Sequence, residues 1–297
     1  MPDKNQAEAL AESVEAAVLS AVETFGTGVE KTQKAIFKEV SGLIREMTLD
    51  ADGNFKRTNA NLKTLDNTRD KLRGVIVTES YRKRVRGFTN QIPGLAGMND
   101  DYFSLILAGS FAPSDALKKA LIDGAIADTE ASLIGAGLDA SVIDPIRVML
   151  RQNVTSGGSA FDLSEQLRTF IMGDSERLGA LSRYSGQITR DSLNQFSRNY
   201  HQAVADDSGL VWYWYSRGTV SDSREFCIHR NGRYWHKDEI KAWAGIPQWQ
   251  GKIPATTSAS IFTYLGGYNC MHGVNAVSDF VVPKSDKARA RSRGFIK

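Results

Sequence analysis

The residues best suited to soft chemistry in this 297-residue chain are two cysteines and four histidines. Each cysteine is followed two positions later by a histidine, as Cys227-Ile228-His229 and Cys270-Met271-His272. In an extended strand, residues i and i+2 project to the same side, so each step could chelate one ion. Together Cys227, His229, Cys270 and His272 would supply two thiolates and two imidazoles, a common structural zinc set. No cofactor follows with certainty from these residues, and a structural zinc is the one they could hold. The steps lack the usual knuckle spacing, and His236 competes as a ligand. Two other readings stand beside the metal: core cysteines packed near histidines that hydrogen-bond backbone, and a disulfide inside an exported particle.

Catalytic readings find less to build on. Cys227 beside His229 or His272 could form a thiolate–imidazole pair, but no nucleophile turn or orienting acid accompanies it. His229, Asn269 and His272 suggest a zinc-supported nuclease without the expected order of base and metal carboxylates. Gly135-Ala136-Gly137 follows a helical pattern where a dinucleotide loop requires a strand. Asp50-Ala51-Asp52-Gly53-Asn54 opens like a calcium loop, but the twelfth position is Asn61 rather than glutamate. That segment reads as a polar turn. No enzyme is expected.

The elements that must position these residues fall into two kinds. All five tryptophans, both cysteines and three of the four histidines lie between residues 212 and 272. The preceding part is helical in pattern. Leu10, Val14, Val18, Ala21 and Phe25 form one stripe, and Ile36, Val40, Leu43 and Met47 another, with Gly26 and Gly28 between them. Leu62, Leu65, Leu72 and Ile76, then Tyr81, Val85 and Phe88, continue it. Residues 90–101 carry Pro93, Gly94 and Gly97 and read as a loop. Helices are expected over 114–134, 140–153, 163–171 and 176–206. In the last of these, Arg177, Arg183, Arg190 and Arg198 read as a solvated face.

From Leu210 the pattern turns to strands. Trp212-Tyr213-Trp214-Tyr215 suits a pleated surface, with core packing favoured over base stacking. Asn231-Gly232 predicts a hairpin between Cys227-Ile228-His229 and Tyr234-Trp235-His236. A short helix over 237–244, a loop over 245–260 and a strand at 279–282 complete the module. Residues 284–297 hold six basic side chains and one acid, and read as a flexible tail. Its Lys284, Lys287, Arg289, Arg291, Arg293 and Lys297 are the candidate DNA-binding residues, acting on phosphate by charge alone.

The expected fold is mostly α, with long N-terminal helices or a helical bundle followed by a small α+β, Cys/His/Trp-rich C-terminal module. The expected segments are an N-terminal helical region (1–92), a central helical domain (93–208), the α+β module (209–283) and the basic tail (284–297). A net charge of +3 implies neither nucleic acid nor membrane as a partner by itself. No apolar run approaches the ~20 residues of a membrane span, and the N-terminus lacks a signal pattern. The chain is thus expected to stay in a cytoplasm or enter a particle assembled there.

One resemblance sharpens this. Trp212-Tyr213-Trp214-Tyr215, Ser223-Arg224-Glu225-Phe226-Cys227, Gly232-Arg233-Tyr234-Trp235, Asp238-Glu239-Ile240 with Trp243, and above all Gly266-Gly267-Tyr268-Asn269-Cys270-Met271-His272 resemble the phage Mu F-like minor head proteins. Where that family carries an arginine, this chain has Met271. The likeness is concentrated in 205–283 and extends over 50–204, through residues 52–62 and 187–193. It does not reach 1–45 or the tail. The resemblance implies a structural minor head protein in the virion, at the head or portal vertex, assembled in the host cytoplasm. It would act in head morphogenesis or genome delivery. Its partners would be the portal protein, other head proteins and packaged DNA, as a homo-oligomer or a portal-imposed multimer. The alternatives are a zinc-dependent DNA-processing enzyme of the virion and an ejected DNA-binding protein.

Overall fold

Apolar stripes at helical spacing dominate the chain, and in the computed structural model they form helices over 66% of it, so the fold is mostly α. The structure describes residues 4–109 and 113–297. In order come α1 (Lys4–Gly26), α2 (Val29–Glu46), α3 (Asn59–Thr64), α4 (Thr68–Ile76), α5 (Glu79–Thr89), α6 (Ile92–Ile106) and α7 (Asp115–Ile134). Next are α8 (Ala136–Leu138), a π turn (Asp139–Ile143), α9 (Asp144–Ser156), α10 (Ala160–Met172) and α11 (Ala180–Asp207). The C-terminal part holds β1 (Trp212–Ser216), α12 (Glu225–Ile228), β2 (Tyr234–His236), α13 (Lys237–Trp243), α14 (Ile261–Tyr264), β3 (Gly273–Val277) and α15 (Lys284–Ser292). Among the described residues, no helix is long and apolar enough to cross a membrane.

Two units interleave along the chain. One comprises Val22–Thr89 and Asp128–Thr189. Within it, α2 buries Val29, Ile36, Val40 and Leu43 and packs against α10 and α4. The α10 stripe of Leu163, Leu167 and Ile171 is buried too. The Asp50 segment is the expected turn: its carboxylate accepts from the Asp52 and Asn54 amides. Buried Asn61 ties the same turn down, accepting from Thr48 N and donating to the Thr48 and Lys56 carbonyls.

The other unit takes the chain up to Ala21, Asn90–Ala127 and Arg190–Lys297. The limits expected at 208 and 283 both fall inside it. It holds one antiparallel sheet of order β2-β1-β3. Trp212 faces His236 on one side and Val277 on the other, and Ser216 reaches Gly273. As the central strand, β1 buries residues on both faces, which is why it is aromatic throughout.

Several expectations are corrected. Residues 90–101 are not a loop, because Pro93 sits in the first turn of α6, where its missing N–H costs nothing. Cys227-Ile228-His229 is not a strand. Cys227 lies in α12, and its carbonyl accepts from Arg230 and Asn231 in a tight turn. Gly232, at φ 73°, then leads the chain into β2, which pairs with β1. The segment 279–282 holds a 3-10 turn rather than a strand, and Phe280 is exposed. The third strand lies earlier, at Gly273–Val277.

The basic tail is not a free arm. Residues 284–292 form α15, Ala290 is fully buried, and Phe295 and Ile296 pack on a core of Trp212, Tyr234, Val277 and Val282. Arg289 lies over the Trp235 ring, pairs with Asp286 and the fully buried Glu239, and donates to the Tyr234 carbonyl. Lys287 pairs with Asp279 at 2.6 Å. Of the six candidate DNA-binding residues, Lys284, Arg291, Arg293 and Lys297 remain exposed on a folded surface.

Candidate metal centre

Three of the four anticipated ligands converge. Cys227, Cys270 and His272 bring their ligand atoms within 4.8 Å of one another, and all three are buried, at 2%, 2% and 6% exposure. His272 Nδ1 is 3.9 Å from Cys270 Sγ. Two ligands of one tetrahedral zinc, at ~2.3 Å for sulfur and ~2.0 Å for nitrogen, would lie ~3.5 Å apart. The group is thus close to a ligand set as it stands and could hold a metal. Both cysteines are free thiols, not a disulfide.

His229 is excluded from the group. It follows the end of α12, its side chain is 72% exposed, and it pairs with Glu225 at 3.0 Å. The helical turn is the reason, since it removes the i, i+2 geometry a strand would have supplied. His236 is excluded as well. It caps α13, with Nδ1 accepting from the Asp238 amide and Glu239 answering its own backbone N–H.

The second cysteine–histidine step arrives through an unusual turn. Leu265 and Asn269 have positive φ, as does Gly267. A Cβ on Gly266 would stand 2.5 Å from Cys227 Sγ and 3.0 Å from Cys270 Sγ. Only a glycine lets this backbone pass against the two sulfurs. The Gly266 carbonyl is held by Trp249 Nε1 and by Arg224, which also reaches the Tyr268 carbonyl. Asp191 accepts from the Asn269 amide at 2.9 Å, and burial pushes its carboxyl up to about 6.

Arg198 closes the arrangement from α11. Its guanidinium donates to the carbonyls of His272 (2.9 Å), Thr263 (2.8 Å) and Cys270 (2.5 Å). At 3% exposure it is no part of a solvated helix face, which corrects that reading. Arg217 holds the Met271 carbonyl and Asn194, and pairs with Glu15 at 3.4 Å. The carbonyls along this segment therefore point at fixed cations, each such bond contributing about 1.5–3 kcal/mol. The residue pattern gave no role to Arg198, Arg217 or Glu15, and Arg224 and Asp191 appeared only within stretches that carry the resemblance. The only available signal was that Arg198 shares a helical face with buried Asp191 and Asn194.

The electrostatics divide the two thiols. The Cys227 thiol donates to Cys270 and, with the Arg198 charge and His272 nearby, holds the Cys270 thiol well below its ordinary range. As donor to that sulfur in a buried place, Cys227 is pushed up. Tyr215 donates its hydroxyl to Cys227 Sγ at 3.3 Å, and its ring leans on His272 with centroids 5.2 Å apart. Burial first, and the neighbouring thiols second, keep that phenol protonated.

No family model, curated protein or solved structure matches this chain. The site has to be read from its own atoms. Around it, Trp249 stacks on Phe226 at 4.4 Å, and Trp243 packs edge-on to Phe226, Tyr215 and Trp235. These aromatics are core, and the group they surround is enclosed.

Proposed function

We propose that this chain is a structural minor head protein of a tailed bacteriophage. In this reading one zinc ion on Cys227, Cys270 and His272 staples its C-terminal sheet and turns together. The observation that carries the structural role is the burial of all three ligands, behind Tyr215 and the Gly266 backbone. A zinc of this kind contributes directly to folding. The virion placement rests on the likeness of residues 223–227, 232–235 and 266–272 to Mu F-like proteins. It brings the portal protein, other head proteins and packaged DNA as proposed partners. Lys284, Arg291, Arg293 and Lys297 offer DNA a modest, salt-sensitive contact from a folded surface.

Three protein ligands leave one coordination position for an outside ligand, an arrangement shared with catalytic zinc centres. This favours the zinc-dependent DNA-processing enzyme as second reading. One set of measurements separates the two. Purified protein should carry one zinc per chain, lost in Cys270→Ser, and should leave DNA intact with or without added divalent metal. Metal-dependent cleavage abolished by His272→Ala would replace the structural role with the enzymatic one. Lack of stoichiometric zinc would remove the metal. Absence of the chain from intact particles would remove the virion assignment.

A further inference from the structure

His272 presents Nδ1 toward the sulfurs, and its other ring nitrogen, Nε2, is buried without a hydrogen-bond partner in the protein. So is the hydroxyl of Ser197 on α11. Buried polar atoms are rarely left so, since each costs about 1–3 kcal/mol. Both residues line one small cavity of about 30 Å³, together with Glu15 of α1, Asn194, Arg198 and His201. That space exceeds the ~10–15 Å³ a single water needs, and the walls supply the two to four polar partners a buried water takes. Ala11, Val14 and Val274 complete the wall.

We propose that this cavity holds one ordered water that accepts the Nε2–H of His272 and links it to Ser197 and Glu15, making those two residues positioning residues for the metal centre. This rests on the zinc reading. The hydrogen bonds balance: the water accepts from His272, donates to the Glu15 carboxylate, and exchanges its remaining bond with the Ser197 hydroxyl. Glu15 is itself fixed, accepting from Ser216 Oγ at 3.3 Å and pairing with Arg217. The chain of contacts keeps the proton on Nε2 and so leaves the Nδ1 lone pair directed at the metal position. A ligating histidine ordinarily gives its second N–H to a carboxylate, carbonyl or water, and loss of that partner weakens metal binding ~10–100-fold. Here the carboxylate comes from a helix about 200 residues earlier in the chain than its hydrogen-bond partner Ser216.

The test is zinc affinity of the full-length chain, read by competition with a chromophoric chelator, for wild type, Ser197→Ala and Glu15→Gln. Each variant should bind zinc ~10–100-fold more weakly, and in Ser197→Ala melting of the zinc-free protein should be little changed. Glu15 also holds Ser216 and Arg217, so Ser197→Ala, whose hydroxyl has no other partner, is the variant free of that second effect. Nitrogen-15 NMR of the zinc-loaded protein should show His272 protonated on Nε2 and metallated on Nδ1. Equal affinity in all three proteins, or zinc on Nε2, would overturn the inference and leave the metal centre standing. A wild-type chain that takes up no zinc would overturn both.

Discussion

Acid should weaken this fold through His201, and the size of the effect follows from its surroundings. The ring is fully buried between Tyr102 and Phe103, with centroids 4.9 Å from each. Its Nδ1 accepts from the Ala276 amide of β3 at 3.2 Å. Its Nε2 faces Asn99 Oδ1 at 3.1 Å, and the Asn99 amide nitrogen is committed to the Leu95 carbonyl. The neutral Nε2–H tautomer satisfies every partner, whereas a second proton on Nδ1 would confront an N–H. Burial accordingly lowers the His201 pKa from 6.5 to about 3. The unfolded chain therefore binds this proton more readily. Stability is complete above about pH 6.5 and declines as pH falls toward about 3. At about pH 5 the loss is roughly 1.5 pH units times 1.36 kcal/mol, or ~2 kcal/mol. Denaturant unfolding of wild type and His201→Gln, at about pH 7 and about pH 5, isolates it. Wild type should lose ~2 kcal/mol more than the variant over that interval. Histidine NMR gives the direct check on the native protein. A His201 resonance that titrates with a midpoint near 6.5, with the fold intact, would refute the argument.

Two further outcomes are expected. Gly266→Ala should force the Cys227 and Cys270 sulfurs apart, lower stability by ~1–3 kcal/mol and weaken zinc uptake, as read by melting and chelator competition. Arg289→Met should cost up to ~3 kcal/mol because the fully buried Glu239 loses its nearer cation and keeps only Arg293 at 3.9 Å. The double variant with Glu239→Gln should recover part of that loss in denaturant titrations.

Much of the helical architecture was legible because each stripe had an unambiguous period. Ile36, Val40 and Leu43 are buried on α2 as their spacing required. Trp212–Tyr215 was legible as a strand because aromatic content of that density has few other uses. Pro93 and Gly94 misled, since a proline that opens a helix reads in sequence like one that prevents it. Asn231-Gly232 misled in another way: the turn forms, but tertiary pairing gives β2 to β1 and leaves Cys227 helical. Cysteine and histidine spacing pointed to three residues that do come together and could hold a metal, Cys227, Cys270 and His272. His229 failed because a ligand assignment depended on local conformation that four residues could not specify. The tail failed because charge count concealed Ala290, Phe295 and Ile296, which are few but all packed. The role of Arg198 was harder to read, since its partners are backbone carbonyls and carry no residue identity.

The tie between Glu15 and the turn after β1 also bears on how the protein is made. Ser216 donates to the Glu15 carboxylate, and Arg217 both pairs with it and donates to the Glu15 carbonyl. Those partners are translated about 200 residues after Glu15, which at ~5–20 residues per second is a wait of roughly 10–40 s. Helix α1 can form in microseconds, yet its place is completed only when Ser216 and Arg217 have left the ribosome. Through that interval Ala11, Val14 and Val18, all buried in the finished protein, are open to any chaperone or neighbouring nascent chain. The closing of this early helix onto a late strand thus waits on synthesis rather than on the helix itself.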